Sequence, residues 1–335
     1  MIEVRNLVKR YGNHLAVDHL SFTVDQGLIY GFLGPNGAGK STTMNIMTGY
    51  LGLTEGDVIV NGHHILEEPE AVKRCIGYLP EIPPLYMDMT VTEYLKFAAE
   101  LKDIPKAQRG QQMEQVVSLT HLEEVKDRLI RNLSKGYRQR VGLAQAILGF
   151  PEIIILDEPT VGLDPKQIIE IRDLIRSLAG EHTVILSSHI LSEVQEVCDQ
   201  VLIMNHGKLI ASGTPAELER RLSGSSLELT VKTDEGDILR SALAALEGVT
   251  AVDLRSASNP GELDITLSCA QGADLREAVS SLCISRGIPI LMMKSADVSL
   301  EQIFLEVTED QEVSTESSAP AAMEGDTVGK EENAQ

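Results

Sequence analysis

The sequence predicts an α/β fold over residues 1–222, a small α+β unit over 225–308 and an acidic tail over 309–335. Three observations predict it. Short apolar runs alternate with stretches of helical periodicity, as expected for a mainly parallel sheet joined by helices. A glycine-rich segment, GPNGAGKST at 34–42, joins one such run to one such helix. From Leu229 onward, apolar positions recur at a constant offset of 36 residues, which marks a duplicated strand–helix–strand unit.

In chain order, LIYGFLG at 28–34 is the first strand candidate, and its apolar run ends where the glycines begin. VIVNGHHI at 58–65 carries an Asn-Gly hairpin signal, which puts an antiparallel β-subdomain beside the main sheet. CIGYLP at 75–80 is the next strand. Residues from about 88 to 150 read as mostly helical, a helical insert within the α/β unit. Inside it, LSKGYRQRVGLAQAI at 133–147 opens on Ser134, whose hydroxyl suits an N-cap. Tyr137, Val141, Ala144 and Leu148 then recur at helical spacing. EIIILD at 152–157, TVILSS at 183–188 and QVLIMN at 200–205 complete the strands.

A Gly-Ser break, SGSS at 223–226, separates the second unit. Leu229, Val231, Leu239, Arg240, Ala242 and Leu246 match Ile265, Leu267, Leu275, Arg276, Ala278 and Leu282. Two strand–helix–strand copies are what a split βαβ, ferredoxin-like domain requires. The unit carries no chemical constellation, and Asp264, Asp274 and Glu277 read as solvated carboxylates. SLEQIFLEVT at 299–308 reads as a closing amphipathic helix. The tail beyond it holds eight acidic residues and one lysine, so it is expected to be disordered.

A net charge of −21 and the absence of Trp argue against a nucleic-acid partner, which needs basic grooves and stacking platforms. They do not exclude a nucleotide, held by local amides and one lysine. Cys75, Cys198, Cys269 and Cys283 form no C-x-x-C pair and read as buried thiols in a reducing compartment. No apolar run approaches the ~18 residues of a membrane span, and MIEVRNLVKRYG has no signal-peptide core. The expectation is a cytoplasmic protein that reaches any membrane through another subunit.

GPNGAGKS fits G-x-x-x-x-G-K-[ST] in its required context, strand before and helix after. Its glycines let amides turn toward a β-phosphate, Lys40 reaches the β/γ oxygens, and Ser41 can hold Mg²⁺. IIILDEPT at 153–160 supplies a buried strand ending in Asp157, which can reach Mg²⁺ through water. Glu158, one residue on, suits the general base for a water attacking the γ-phosphate. Alone, an apolar run ending in Asp-Glu is as well explained by a strand with a solvated end; the phosphate loop upstream favours the functional reading.

With LSKG lying ahead of IIILDEPT, residues 1–222 resemble the ATP-binding cassette (ABC) ATPases, with motifs in the expected order. The resemblance implies a P-loop NTPase cassette that hydrolyses ATP. Gly34, Pro35, Asn36, Gly37, Ala38, Gly39, Lys40, Ser41 and Thr42 match the Walker A loop, and Ile153 to Glu158 match Walker B. Tyr11 is similar to the aromatic that stacks on adenine, though a surface tyrosine reads the same way. Gly162, Leu163 and Asp164 resemble the D-loop, and in GLDP the aspartate also suits plain turn chemistry. His189 sits where the family has its switch histidine. Ser134, Lys135 and Gly136 resemble the signature turn, which in the family closes on ATP held by a second subunit. That implies an ATP-dependent homodimer. The family's Q-loop glutamine is replaced by Glu81, in IGYLPE, so a metal or water contact there is expected through a carboxylate. Within the family, the chain resembles ABC-2-type export ATPases, whose partner is a separately encoded multi-span permease. The competing reading is a soluble ABC ATPase acting on a macromolecular complex.

Overall fold

The computed structural model describes residues 1–222, 226–233, 235–257, 259, 261–270 and 273–296. Three sheets account for the fold. β1 (Ile2–Tyr11) and β2 (His14–Val24) form a long hairpin closed at Gly12, where φ is +58°. The strand candidates did not include this pair. Its alternation is broken by register shifts near Asn6 and between Leu7 and Arg10, so the apolar residues do not keep strict period two. β3 (Ile29–Leu33) leads through the glycine loop into α1 (Lys40–Met47). β4 (Glu55–Val60) and β5 (His63–His64) form the expected hairpin on Asn61 and Gly62, both at positive φ. With β1 and β2 they make an antiparallel sheet in the order β2-β1-β4-β5.

α2 (Pro69–Cys75) and β6 (Ile76–Leu79) return the chain to the main sheet. The insert then contributes α3 (Val91–Leu101), α4 (Lys106–Leu119) and α5 (Lys135–Ile147). α3 starts at a capping box, with Thr90 Oγ1 accepting from the Glu93 amide and Glu93 accepting from the Thr90 amide. β7 (Ile153–Leu156), α6 (Pro165–Leu178), β8 (Thr183–Ser188), α7 (Leu191–Val197), β9 (Gln200–Asn205), β10 (Lys208–Gly213) and α8 (Pro215–Leu222) complete the first unit. The main sheet runs β10-β9-β3-β8-β7-β6, parallel throughout except for the β10 hairpin.

Both faces of this sheet are covered, so its strands are near-continuous apolar runs. Alternate residues divide between two cores. Ile29, Leu33, Ile154, Leu156, Val184 and Leu186 face the helices, including the insert. Tyr30, Phe32, Ile153, Ile155 and Ile185 face α1 and the antiparallel sheet, where Phe22 meets Phe32 edge-on at 5.3 Å. The five parallel strands thus end side by side, and their carboxyl edge carries the loops discussed below.

β11 (Ser226–Lys232), α9 (Gly236–Ala244), β12 (Val249–Ser256), β13 (Glu262–Cys269), α10 (Arg276–Ser285) and β14 (Ile290–Ala296) form the second unit. Its four-stranded sheet is antiparallel in the order β12-β13-β11-β14. Leu229 pairs with Ile265, its own counterpart 36 residues on, and Leu227 and Val231 pair with Leu267 and Leu263. The pairing therefore sets the position at 229 against the position that the repeat offset matches to it. Leu239 and Leu243 of α9 and Val279 and Cys283 of α10 close the core on one face. Residues 223–225 of the Gly-Ser break, the helix expected at 299–308 and the acidic tail lie outside the described residues. Among the described residues, no helix is long and apolar enough to cross a membrane.

Candidate nucleotide site

The glycine loop is built by close approach. Gly39 has φ +98°, and a Cβ there would lie 2.7 Å from the Ala16 carbonyl oxygen. Only glycine fits, and the left-handed turn it permits opens α1 with no side-chain cap on its first amides. Lys40 follows at the helix start and is buried. Its Nζ donates to the carbonyls of Gly34 at 2.7 Å and Pro35 at 3.2 Å, and lies 3.6 Å from Glu158 Oε1. Burial pulls the Lys40 pKa below its ordinary value, while the carboxylates of Glu158, Asp157 and Glu81 oppose that shift.

Asp157 and Glu158 leave the end of β7, both buried. Asp157 Oδ1 accepts from Ser41 Oγ at 3.0 Å and from Ser187 Oγ at 2.6 Å. Ser187 Oγ also accepts from the Glu158 amide at 2.8 Å. Glu158 has φ +47°, the left-handed region that a bulky side chain enters only when its surroundings hold it there. Its Oε2 meets His189 Nδ1 at 2.9 Å. His189 follows directly on β8, the strand beside β7, as Glu158 lies just beyond β7, so parallel pairing brings the carboxylate and the imidazole together.

One cavity of about 410 Å³ gathers these groups: Tyr11, His14, Asn36 to Thr42, Glu81, Glu158 and His189 line it. Asp157 does not line this cavity but an adjoining groove, and its Oδ1 reaches the wall through Ser41 Oγ; with Glu81 on the same wall, these oxygens suit a hard cation such as Mg²⁺. Among the described residues, no three or more His, Cys, Asp or Glu residues form a metal cage, so such an ion would draw most of its shell from phosphate and water. Tyr11 is half exposed at the hairpin tip, with Lys9 Nζ 5.1 Å from its ring centroid. An open aromatic face at the rim of a cavity lined by the glycine loop suits a purine. Tyr11→Ala is expected to weaken ATP binding by roughly 5- to 30-fold, the loss of about 1–2 kcal/mol of stacking, with Tyr11→Phe near native. Calorimetric titration with ATP checks this, and equal affinity for all three proteins leaves Tyr11 a surface residue.

The turn at 134–136 lies apart. Ser134, Lys135, Gly136 and Asp164 do not line the cavity. Ser134 is the N-cap of α5, accepting from the Tyr137 amide at 3.4 Å. Asp164 caps α6, its Oδ1 accepting from the Gln167 amide at 3.0 Å, so the turn-chemistry reading of GLDP is met in this chain. The two turns touch each other. A Cβ at Gly136 would lie 2.5 Å from the Gln167 side chain, and one at Gly162 would lie 2.0 Å from Lys135 Nζ. Gly136 is therefore covered, while Ser134 and Lys135 are exposed.

Sequence reasoning missed Ser187, the hydroxyl that joins Asp157 to the Glu158 amide. A serine two residues ahead of His189 in TVILSSH was the available signal, but its meaning depends on β8 lying beside β7.

A family model described as ABC transporter matches residues 17–161. The chain is 34% identical over 309 residues to the bacitracin transport ATP-binding protein BcrA of Bacillus licheniformis, across 92% of this chain and 97% of that one. It is 32% identical over 311 residues to the daunorubicin/doxorubicin resistance ATP-binding protein DrrA of Streptomyces peucetius, across 92% of each. A solved ATP-binding subunit of an ABC transporter superposes with a TM-score of 0.61 at 31% identity, over 66% of this chain and 92% of that one.

Proposed function

This chain belongs to the ABC transporter family as an ATP-hydrolysing subunit, and on that premise we propose that it powers export through a separate multi-span permease by closing as an ATP-dependent homodimer. The observation that carries the catalytic part is the buried Glu158 carboxylate, held 2.9 Å from His189 in the cavity that Lys40 and Ser41 line.

In this reading Lys40 exchanges its carbonyl partners and Glu158 for phosphate oxygens, and the amides of residues 37–42 hold the β-phosphate. Glu158, freed from Lys40, takes the proton of the attacking water. His189 donates from Nδ1 to the carboxylate and keeps it aimed. Ser41 and Asp157, with Glu81 on the cavity wall, would hold Mg²⁺, which would supply charge neutralisation for the phosphates. The antiparallel strand order of the second unit, with Leu229 set against Ile265, supports a ferredoxin-like reading of residues 226–296.

Export is supported by the relatives named above, whose names describe bacitracin transport and drug resistance. A permease is supported by a second groove, of about 860 Å³, between the end of α1, β6 and the insert. Tyr50, Ile82 and Pro84 line it, and Tyr50 and Ile82 are each 82% exposed. Exposed large apolar side chains beside a groove are what a docking partner covers. Glu81 lines both this groove and the nucleotide cavity, so a partner seated here moves a carboxylate at the phosphates.

The test is affinity purification of the tagged chain from detergent-solubilised native membranes, with co-purifying proteins identified by mass spectrometry. A stoichiometric multi-span protein is expected, and Ile82→Asp should lower its recovery at least roughly ten-fold with ATP turnover of the isolated chain unchanged. Recovery with ribosomal or DNA-repair proteins instead would replace the transporter reading with the macromolecular one.

A further inference from the structure

Behind the nucleotide cavity lies a buried carboxylate that the reaction as derived above does not use. Glu193, in the first turn of α7, is 5% exposed. One oxygen, Oε2, accepts two hydroxyl hydrogen bonds, from Thr160 Oγ1 at 2.7 Å and from Ser188 Oγ at 3.0 Å. The other, Oε1, lies 3.9 Å from the Arg172 guanidinium on α6. Burying an ionised carboxylate is costly unless it is paired and hydrogen-bonded, and here both conditions are met.

The partners are informative. Thr160 stands two residues after Glu158, and Ser188 stands one residue before His189. Thus one carboxylate oxygen grips both segments that carry the 2.9 Å contact between Glu158 and His189. Glu158 is also the residue held at φ +47°, a conformation that persists only when neighbouring contacts determine it. Arg172 extends the grip to the helix that follows Asp164, and its Nη1 also pairs with Glu196 of α7 at 2.5 Å. The geometry points to Glu193 as a positioning residue for ATP hydrolysis: it holds the exits of β7 and β8 in the register that aims Glu158 and His189, and it ties that register to α6. It touches no substrate. The inference rests on Glu158 being the general base and goes beyond that assignment to what keeps the base in place.

The two hydroxyl bonds need an acceptor rather than a charge. In Glu193→Gln the side-chain carbonyl can accept both, and only the ion pair with Arg172 is lost, since the amide NH₂ then faces the guanidinium; in Glu193→Ala all three contacts are gone. Full-length variants are therefore compared for ATP turnover, KM and ATP affinity. Glu193→Ala is expected to lower kcat by roughly 10- to 100-fold, the scale of an ångström-level misplacement of a reacting group, with KM and ATP affinity within about two-fold of native. Glu193→Gln should recover turnover to within about three-fold of native. Thr160→Val and Ser188→Ala each remove one grip and serve where Glu193→Ala does not fold; their combination should reproduce its loss of kcat. Native turnover in Glu193→Ala or in the double variant overturns the proposal. So does a loss of kcat matched by an equal loss of ATP affinity, or a Glu193→Gln protein as slow as Glu193→Ala. Glu158→Gln is run alongside: native turnover in that variant removes the base assignment itself, whatever the Glu193 series gives.

Discussion

Glu158→Gln is expected to lower ATP turnover by at least ~100-fold, the usual scale for losing a positioned general base, while ATP binding stays native or tightens. The geometry separates these two effects. Glutamine keeps the shape of a side chain buried between Lys40 and His189, so the cavity is preserved. It cannot accept a proton from water. It also removes a negative charge from a wall that must face phosphate, which lowers repulsion in the bound state. Lys40 loses its 3.6 Å partner, but a bound γ-phosphate replaces that charge. Phosphate release gives turnover, calorimetry gives affinity, and light scattering with ATP and Mg²⁺ gives mass. Turnover within about five-fold of native would remove Glu158 as the base. A chain that binds ATP and stays monomeric at micromolar concentration would count against the homodimer.

The parts of this site that could be read from sequence are those whose chemistry is local. A glycine loop acts through neighbouring amides, so GPNGAGKST and the strand and helix that flank it could be read within one short stretch of sequence, and the structure places that loop between β3 and α1. β7 and β8 were likewise legible, because a strand buried on both faces reads as a short unbroken apolar run. What was not legible depends on which strands are neighbours. Ser187 reaches Asp157, and Glu193 reaches Thr160, across some thirty residues, through a sheet order that places β8 between β3 and β7. Nothing in the spacing of those residues encodes that order. The β1–β2 hairpin escaped for a different reason, since its irregular register breaks the alternation on which strand recognition relies. In the second unit the recurrence of apolar positions at a fixed offset was visible in the sequence, and Leu229 pairs with Ile265, the position 36 residues on.

Gly136→Asp is expected to abolish turnover as completely as Glu158→Gln, through a site that the altered chain does not itself contain. A side chain at 136 meets Gln167 at 2.5 Å, but Gln167 is a flexible residue on α6 and can swing away, so the variant should fold. The new carboxylate then stands at the N-terminus of α5 beside Ser134, where the helix dipole favours an approaching phosphate and an aspartate repels it. Loss of one such electrostatic contact to a reacting group costs about 100- to 1,000-fold. ATP affinity of the monomer should not change, because Ser134 and Gly136 lie outside the cavity that Lys40 and Tyr11 line. The decisive measurement is a mixture. In a dimer of one Gly136→Asp chain and one Glu158→Gln chain, one site is doubly defective. The other joins an intact Glu158 to an intact signature turn. Two inactive proteins should therefore regain turnover on mixing, about ten-fold or more above the sum of their separate rates. A mixture no faster than its components would mean that the turn acts within its own chain, and the dimer would lose its role in hydrolysis. Regained turnover would assign the second phosphate grip to the partner subunit, since no arrangement within a single chain can combine the two undamaged halves.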